Sequence, residues 1–428
     1  MSLQPEHSAA PPPGADAAVR PAGGQVAIIG CGPSGCYTAL ALRRLAPDAH
    51  ITLFDRRTTP FGLIRYGVAP DHQGMKNVSR QFDRLFASDQ VHFVGNTTVG
   101  EHLSMEDLEA NFDVVVAATG LAVDRPLSVP VEPRAHVLAA GQLLRFLNGD
   151  PDSILRNGSP AALGADVMIV GAGNVAMDVA RLVCKADDGF HGSDVDDDAR
   201  DALAVSGIRT LTLLSRSSRE GARWDPSMYT ELCAVPGVTV VIDGVVDERS
   251  LTSEPDASRA RDIRVDIRFN ETPLRVDADD THCVVHTQTT SPSGGPNTAP
   301  RAGVHRVDTV ITAMGFVDSP NEGWATGDRV ERVGGCGSGT LGNLAENRVL
   351  AKAAAQRVAS RLLEDRGRPG LKGVHHLLPQ HASSFADWTS IDRAETARAR
   401  PNRLRTKFTS WSDMSAAIAQ QPATRTRD

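Results

Sequence analysis

Two glycine-rich turns of one design constrain this chain more than anything else in it. The first lies in "VAIIGCGPSG", residues 26–35, and the second in "VMIVGAGNVA", residues 167–176. Each follows a run of buried-strand character and opens a helix-forming stretch, "SGCYTALALRRLA" after the first and "NVAMDVARLVCK" after the second. In such a strand–turn–helix unit the glycines divide the work. Gly30 and Gly171 make the tight turn, and Gly32 and Gly173 let backbone approach a pyrophosphate. Gly35 lets the helix pack on the strand, a place taken by Ala176 in the second unit. The helix N-terminus then offers unpaired N–H groups to the phosphates.

The two units differ where the second strand ends. "HITLFDR" ends on Asp55, whose carboxylate suits the free hydroxyls of an adenosine ribose, as in FAD. "RTLTLLSRSSRE" carries no acid there but Ser215 and Arg216, with Arg219 and Arg223 close behind. A 2′-phosphate needs cations and hydroxyl donors, and an acid would repel it, so this unit suits NADPH. A chain with both is expected to pass a hydride from nicotinamide to flavin. Cofactors carry that chemistry, which explains why no nucleophile, base dyad or metal site is needed.

The length of 428 residues predicts two or three domains, and 41% apolar with 23% charged residues is globular composition. Aromatics at 4% and a formal charge of −7 argue against nucleic acid and anionic membranes as partners. The absence of a long apolar run predicts no membrane insertion. Six scattered cysteines without a C-x-x-C pair predict reduced thiols and a cytoplasmic protein. Cys31 and Cys36 bracket the first turn and read as packing thiols rather than a redox pair. Residues 1–24, rich in Pro, Ala and Gly, read as a disordered leader.

Two further β-rich runs, "FDVVVAATG" (112–120) and "VDTVITAMG" (307–315), each end in a small residue and glycine. They are expected to lead out of and back into a discontinuous first domain, with crossovers near 121–127 and 305–316. The predicted fold is therefore α/β, with two Rossmann-like dinucleotide-binding domains, the NADPH domain inserted into a discontinuous FAD domain. The expected boundaries are 25–124 and 306–415 for the FAD domain, 125–305 for the NADPH domain, and 416–428 for a tail. The acidic "KADDGFHGSDVDDDARD" reads as a solvated loop, and "THCVVH" and "GVHHLLPQH" lack zinc-site spacing.

The segment "TPFGLIRYGVAPDHQGMKNV" (59–78) is similar to the P-F-G-L-x-R-x-G-V-A-P-D-H signature of the adrenodoxin-reductase-type ferredoxin–NADP reductases. The resemblance continues through "GAGNVAMDVAR", "FNETPLRV" and "FADWTSIDRAETARARPNRLRTKF" and covers most of residues 25–410. It implies flavin contacts at Ser34, Asp55, Leu63 and Val99, and NADPH contacts at Gly173, Asn174, Val175, Arg216 and Glu231. It implies that Asp71 and His72 tune the flavin or relay a proton. Near the flavin the family's G-W-x-K-R-G-P-T-G-V-I is replaced by "EGWATGDRVERVGGCGSGTLGNLAENR". Trp324 then stands for the displaced tryptophan, and Gly342 and Leu344 for the altered cap. The second of the family's adjacent arginines is Ser217 here.

The resemblance implies reduced flavin passing single electrons to a ferredoxin-type iron–sulfur protein. Such carriers are acidic, and the basic "DRAETARARPNRLRTK" is a candidate docking patch. Two other readings stay open at this stage: a flavin oxidoreductase acting directly on a small metabolite or modified peptide, and a non-catalytic nucleotide-binding module.

Overall fold

A computed structural model describes residues 23–121, 123–158, 162–251, 262–289, 300–318, 330–339, 342–364 and 366–420. The expected leader through residue 22, the 291–299 stretch and Trp324 lie outside the described residues.

The chain begins with β1 (Gln25–Ile29), α1 (Pro33–Leu45) and β2 (His50–Phe54), followed by a short helix α2 (Gly62–Tyr66). β3 (Val91–Val94) and β4 (Val114–Ala117) complete the first pass, and β5 (Val123–Asp124) leads away. Next come β6 (Val137–Ala139), β7 (Asp166–Val170) and helix α3 (Asn174–Cys184). They are followed by β8 (Thr210–Leu214), helix α4 (Pro226–Cys233), β9 (Val238–Ile242), β10 (Val245–Val246) and β11 (Ile263–Arg268). Three long strands follow, β12 (Glu271–Ala278), β13 (Cys283–Thr289) and β14 (Arg301–Val307). β15 (Thr309–Thr312), β16 (Phe316–Val317) and β17 (Val330–Arg332) lead back. The last helices are α5 (Gly335–Ser338), α6 (Leu344–Glu364), α7 (Phe385–Ala397) and α8 (Trp411–Ala419).

These strands form two parallel sheets. The first has the order β17-β4-β1-β2-β3, and the second β10-β9-β11-β8-β7-β15-β6, parallel except where β10 meets β9. Their central strands are buried along nearly their whole length, as Val, Ile and Leu runs covered on both faces must be. On one face of the first sheet α6 lies along α1, with Ala351, Ala354, Ala355, Val358 and Leu362 buried against it. The alanines give α6 its helix propensity and let the two helices approach closely. The second sheet is covered by helices on one face. On the other lies the antiparallel β12-β13-β14 sheet, where Val276, Val285 and Val307 pack on Met168, Val170 and Val310.

The expected boundary at 305/306 is corrected by β15. That strand pairs with β7 and β6, so "VDTVITAMG" lies within the second sheet and the chain returns only at Phe316. β15 is to β7 what β4 is to β1, which is why the two strings look alike in sequence. The outgoing and returning chains pair antiparallel in the β5–β16 ribbon, Asp124 opposite Phe316. The boundary at 415 also falls inside an element. α8 runs through it because Met414, fully buried, and Trp411 and Ile418 pack into the first core.

The acidic 185–201 stretch is not a solvated loop. Its carboxylates fasten the carboxyl-terminal segment to the second unit. Arg403 reaches Asp187 and, at 2.8 Å, Asp197, and Arg400 reaches Asp198 at 2.8 Å. Asp194 holds two ammonium groups at once, Lys76 from the first unit and Lys407, each at 2.8 Å. Asn148 Oδ1 accepts from Lys76 Nζ at 2.5 Å and Lys407 Nζ at 3.3 Å. Arg405 is paired to Asp392. Of the run expected as a docking patch, Arg403 and Lys407 are therefore spent inside the molecule, Arg400 and Arg405 are paired within the chain, and Arg393 and Arg398 stay exposed.

Candidate functional site

Each glycine-rich turn is shaped by contacts that leave no room for a side chain. Gly30 sits at φ 104° and Gly171 at φ 127°, in the left-handed half of backbone space. A Cβ on Gly30 would run into the carbonyl of Ala118, the residue after β4. A Cβ on Gly171 would run into that of Ala313, the residue after β15. A Cβ on Gly35 would meet the carbonyl of Gly30, whereas the second turn takes a fully buried Ala176 at this place. By contrast, a Cβ on Gly32 or Gly173 would meet nothing within 4 Å. The two glycines face open space at the N-termini of α1 and α3, neither of which has a side-chain cap. Such open cradles beside unpaired N–H groups fit a pyrophosphate in both units.

Asp55 closes the first cradle. Its Oδ2 accepts from Cys31 N at 2.8 Å and its Oδ1 from Arg57 N at 2.9 Å, which locks the end of β2 to the turn. Burial raises its carboxyl above the ordinary range, against the pull of those N–H groups and of Arg57 and Arg56. A carboxylate so placed retains lone pairs for ribose hydroxyls. A polar cavity of about 370 Å³ opens beyond β2 and β3, lined by Arg56, Thr58, Asn96 and Thr98 among others. Ser34 Oγ donates to Asn347 Oδ1 at 3.0 Å, and Asn347 Nδ2 donates to the Gly342 carbonyl at 3.2 Å. The altered cap around Gly342 and Leu344 is thereby tied to the first turn. Leu63 lies half-exposed on α2, while the Val99 side chain is buried in the first core, which leaves its backbone for a ligand. Cys31 and Cys36 are buried free thiols with sulfurs 3.8 Å apart, and burial pushes the Cys31 thiol up.

In the second unit Ser215 and Arg216 stand at the end of β8. The Ser215 Oγ accepts from Ser217 N at 3.2 Å and so folds the loop, and Arg216 is exposed. Arg216 has no ion-pair partner among the described residues. Asn174 at the start of α3 accepts from Asp225 N through its Oδ1 at 2.7 Å, and Val175 is partly buried behind it.

Asp71, His72 and Glu231 meet in one polar cluster between the units. Asp71 is paired with Arg181 and, at 2.5 Å, with Lys185. His72 Nε2 lies 3.1 Å from Glu231 Oε2 and its Nδ1 3.4 Å from Asp178 Oδ1. Burial raises the Asp71 carboxyl, but Arg181 and Lys185 outweigh it and hold the group below the ordinary carboxylate range. Asp178 goes the other way, raised by burial. Asp178, Arg181 and Lys185 had no place among the sequence expectations. A signal was present: in "MDVARLVCK" they recur at i, i+3 and i+7, a charged stripe on a helix whose other positions are mostly apolar.

Comparison with known proteins identifies what the chain is similar to. The model of the pyridine nucleotide-disulphide oxidoreductase family matches residues 24–332. Cindoxin reductase of Citrobacter braakii is 35% identical over 423 residues, covering 90% of this chain and 88% of that protein. The mitochondrial NADPH:adrenodoxin oxidoreductase of Mus musculus is 32% identical over 219 residues, spanning 51% of this chain and 44% of its own. The structure of Mycobacterium tuberculosis FprA in complex with NADPH superposes with a TM-score of 0.80 at 25% identity, covering 92% of this chain and 99% of FprA.

Proposed function

Since the chain belongs to the adrenodoxin-reductase-type ferredoxin–NADP reductases, within the pyridine nucleotide-disulphide oxidoreductase family, we propose a division of labour between its two turns. The first holds FAD and the second binds NADPH. The protein is an oxidoreductase that moves a hydride from NADPH to FAD and single electrons onward to a ferredoxin-type iron–sulfur protein. FAD, when bound, supplies the two-electron to one-electron conversion that no side chain can perform.

The residues supply position and charge. The observation that carries the reading is the asymmetry of the strand ends, a carboxylate locked to the first turn and, at the second, an exposed arginine with no ion pair among the described residues. Gly30, Gly32, Ser34 and Gly35 bring the N–H groups of α1 to the FAD pyrophosphate, and Asp55 accepts from its ribose. Leu63, backbone at Val99, and Gly342 and Leu344 of the cap border the flavin. Gly171, Gly173, Asn174 and Val175 do the same for NADPH at α3, and Arg216 pairs with the 2′-phosphate. Asp71, His72 and Glu231 hold the two units in register. His72, between two carboxylates, is placed to keep or pass a proton there. Six free buried thiols among the described residues support a reducing, cytoplasmic setting.

An anaerobic absorbance titration tests the reading. Near-stoichiometric NADPH should bleach the flavin band, with NADH much less effective. Bound flavin that neither nucleotide reduces would overturn it.

A further inference from the structure

The turn that follows β2 recurs elsewhere in the chain with a different outcome. At Asp247 the carboxylate Oδ1 accepts from Arg249 N at 3.1 Å, and the arginine then folds back on the same acid. Its Nε donates to Oδ1 at 3.0 Å and its Nη2 to Oδ2 at 2.6 Å. At Asp55 the backbone half of this arrangement is repeated, Arg57 N donating to Oδ1 at 2.9 Å. The side-chain half is not. The Arg57 guanidinium goes instead to Asp150, Nη1 to Oδ1 at 2.7 Å and Nη2 to Oδ2 at 2.9 Å.

Asp150 comes from the second unit. It follows the helix Ala140–Leu147, whose Leu143, Leu144 and Phe146 pack in the core of the second sheet. Its carboxylate is fully buried, and the Arg57 side chain is nearly so. The guanidinium is steadied further by the Tyr66 ring, 4.8 Å away at its centroid, and by Asp152 Oδ2 at 3.6 Å.

The difference bears on what Asp55 has left to offer. A carboxylate has about four lone-pair sites. Cys31 N takes one on Oδ2 and Arg57 N one on Oδ1. The other two are those a ribose would use, and an arginine folded back as at Asp247 would fill both. Arg249 shows that a span of two residues is enough for the fork to reach its own acid.

We propose that Asp150 is a positioning residue for FAD: it holds the Arg57 fork away from Asp55 and so keeps that carboxylate open to the adenosine ribose. The assignment rests on the reading of Asp55 as the ribose acceptor. It makes retention of FAD by the first unit depend on an acid supplied by the second.

Release of FAD on dilution of the purified holoprotein, followed by the recovery of flavin fluorescence, tests this without any turnover. Asp150→Asn should weaken FAD about tenfold, as Arg57 turns onto Asp55. Adding Arg57→Met removes the competitor, and the double variant should return to within about threefold of wild type. A purely structural role for the pair predicts the reverse, a double variant no better than the single one. That result, or wild-type affinity in Asp150→Asn, would overturn the proposal. The double variant leaves no buried charge unpaired and decides alone if Asp150→Asn does not fold, since loss of FAD there would make Arg57 a binder rather than a competitor. Asp55→Asn separates the two readings. If it keeps full affinity for FAD, the ribose assignment itself falls; if it weakens FAD while Asp150→Asn does not, only the role of Asp150 falls.

Discussion

At the scale of single residues, Asp194 is the carboxylate on which most depends. It is buried and faces two ammonium groups, so removing the acid and removing one base are different experiments. Asp194→Asn leaves two buried cations without a counter-charge and is expected to cost about 3–5 kcal/mol in denaturant unfolding. Lys407→Met leaves one complete pair, and burial already pulls the Lys407 ammonium well below its ordinary range. That variant should stay within about 1 kcal/mol of wild type or gain stability. Burial works against the Asp194 carboxylate, but Lys407 and Lys76 outweigh it and hold its folded-state value below the unfolded one. Its contribution is thus complete above the ordinary carboxylate value and lost as pH falls below about 4. The acid limb of the stability profile should be shallower in Asp194→Asn than in wild type, and an unchanged limb would remove Asp194 from that role. None of this pairing could be read from the chain as a string. Lys76, Asp194 and Lys407 are far apart in sequence, and acids in a run ordinarily mean solvent.

Among the elements, the glycine-rich turns were the most legible, because a tight turn admits so few residues. The difference at their third position makes a paired test. Gly35→Ala drives a Cβ into the carbonyl of Gly30, where backbone cannot yield, so the purified protein should lose most of its bound FAD, read as the flavin-to-protein absorbance ratio. Ala176→Gly meets no such obstacle and should cost about 1 kcal/mol of helix propensity while nucleotide binding persists. Full FAD retention in Gly35→Ala would contradict the packing argument. Less legible was the strand at 309–312. Its string resembles that of 114–117 because each strand flanks the one that leads into a glycine turn, and likeness of role does not mean membership of one sheet. α8 is illegible for another reason: Trp411, Met414 and Ile418 are too few in nine residues to announce a helix without the core they cover.

For the whole molecule, the carboxyl-terminal segment is a strap across the two units. Arg403 is buried and bridges Asp187, Asp197 and the Phe190 carbonyl. Arg403→Ala should lower stability by about 2 kcal/mol or more and speed hydrogen exchange over 187–203. The KM for the iron–sulfur partner should be unchanged. A rise in that KM with stability intact would restore the docking role that the sequence suggested. The charge pattern alone could not decide between the two, since a basic run facing acids inside and one facing an acidic partner outside look the same.

The β5–β16 ribbon has a consequence for how such a protein can be rebuilt. The chain departs for the second sheet and comes back at neighbouring points, Asp124 opposite Phe316, separated by a single strand spacing of about 5 Å. A host whose cut ends lie so close can be rejoined by a short loop or can receive a foreign guest of the same span. The nucleotide-reading half is in this sense a cartridge. What must be re-matched in any exchange is the ionic seam along Asp187, Asp194 and Asp197 together with the Asp71–Arg181–Lys185 and His72–Glu231 contacts, rather than the joints through which the polypeptide passes.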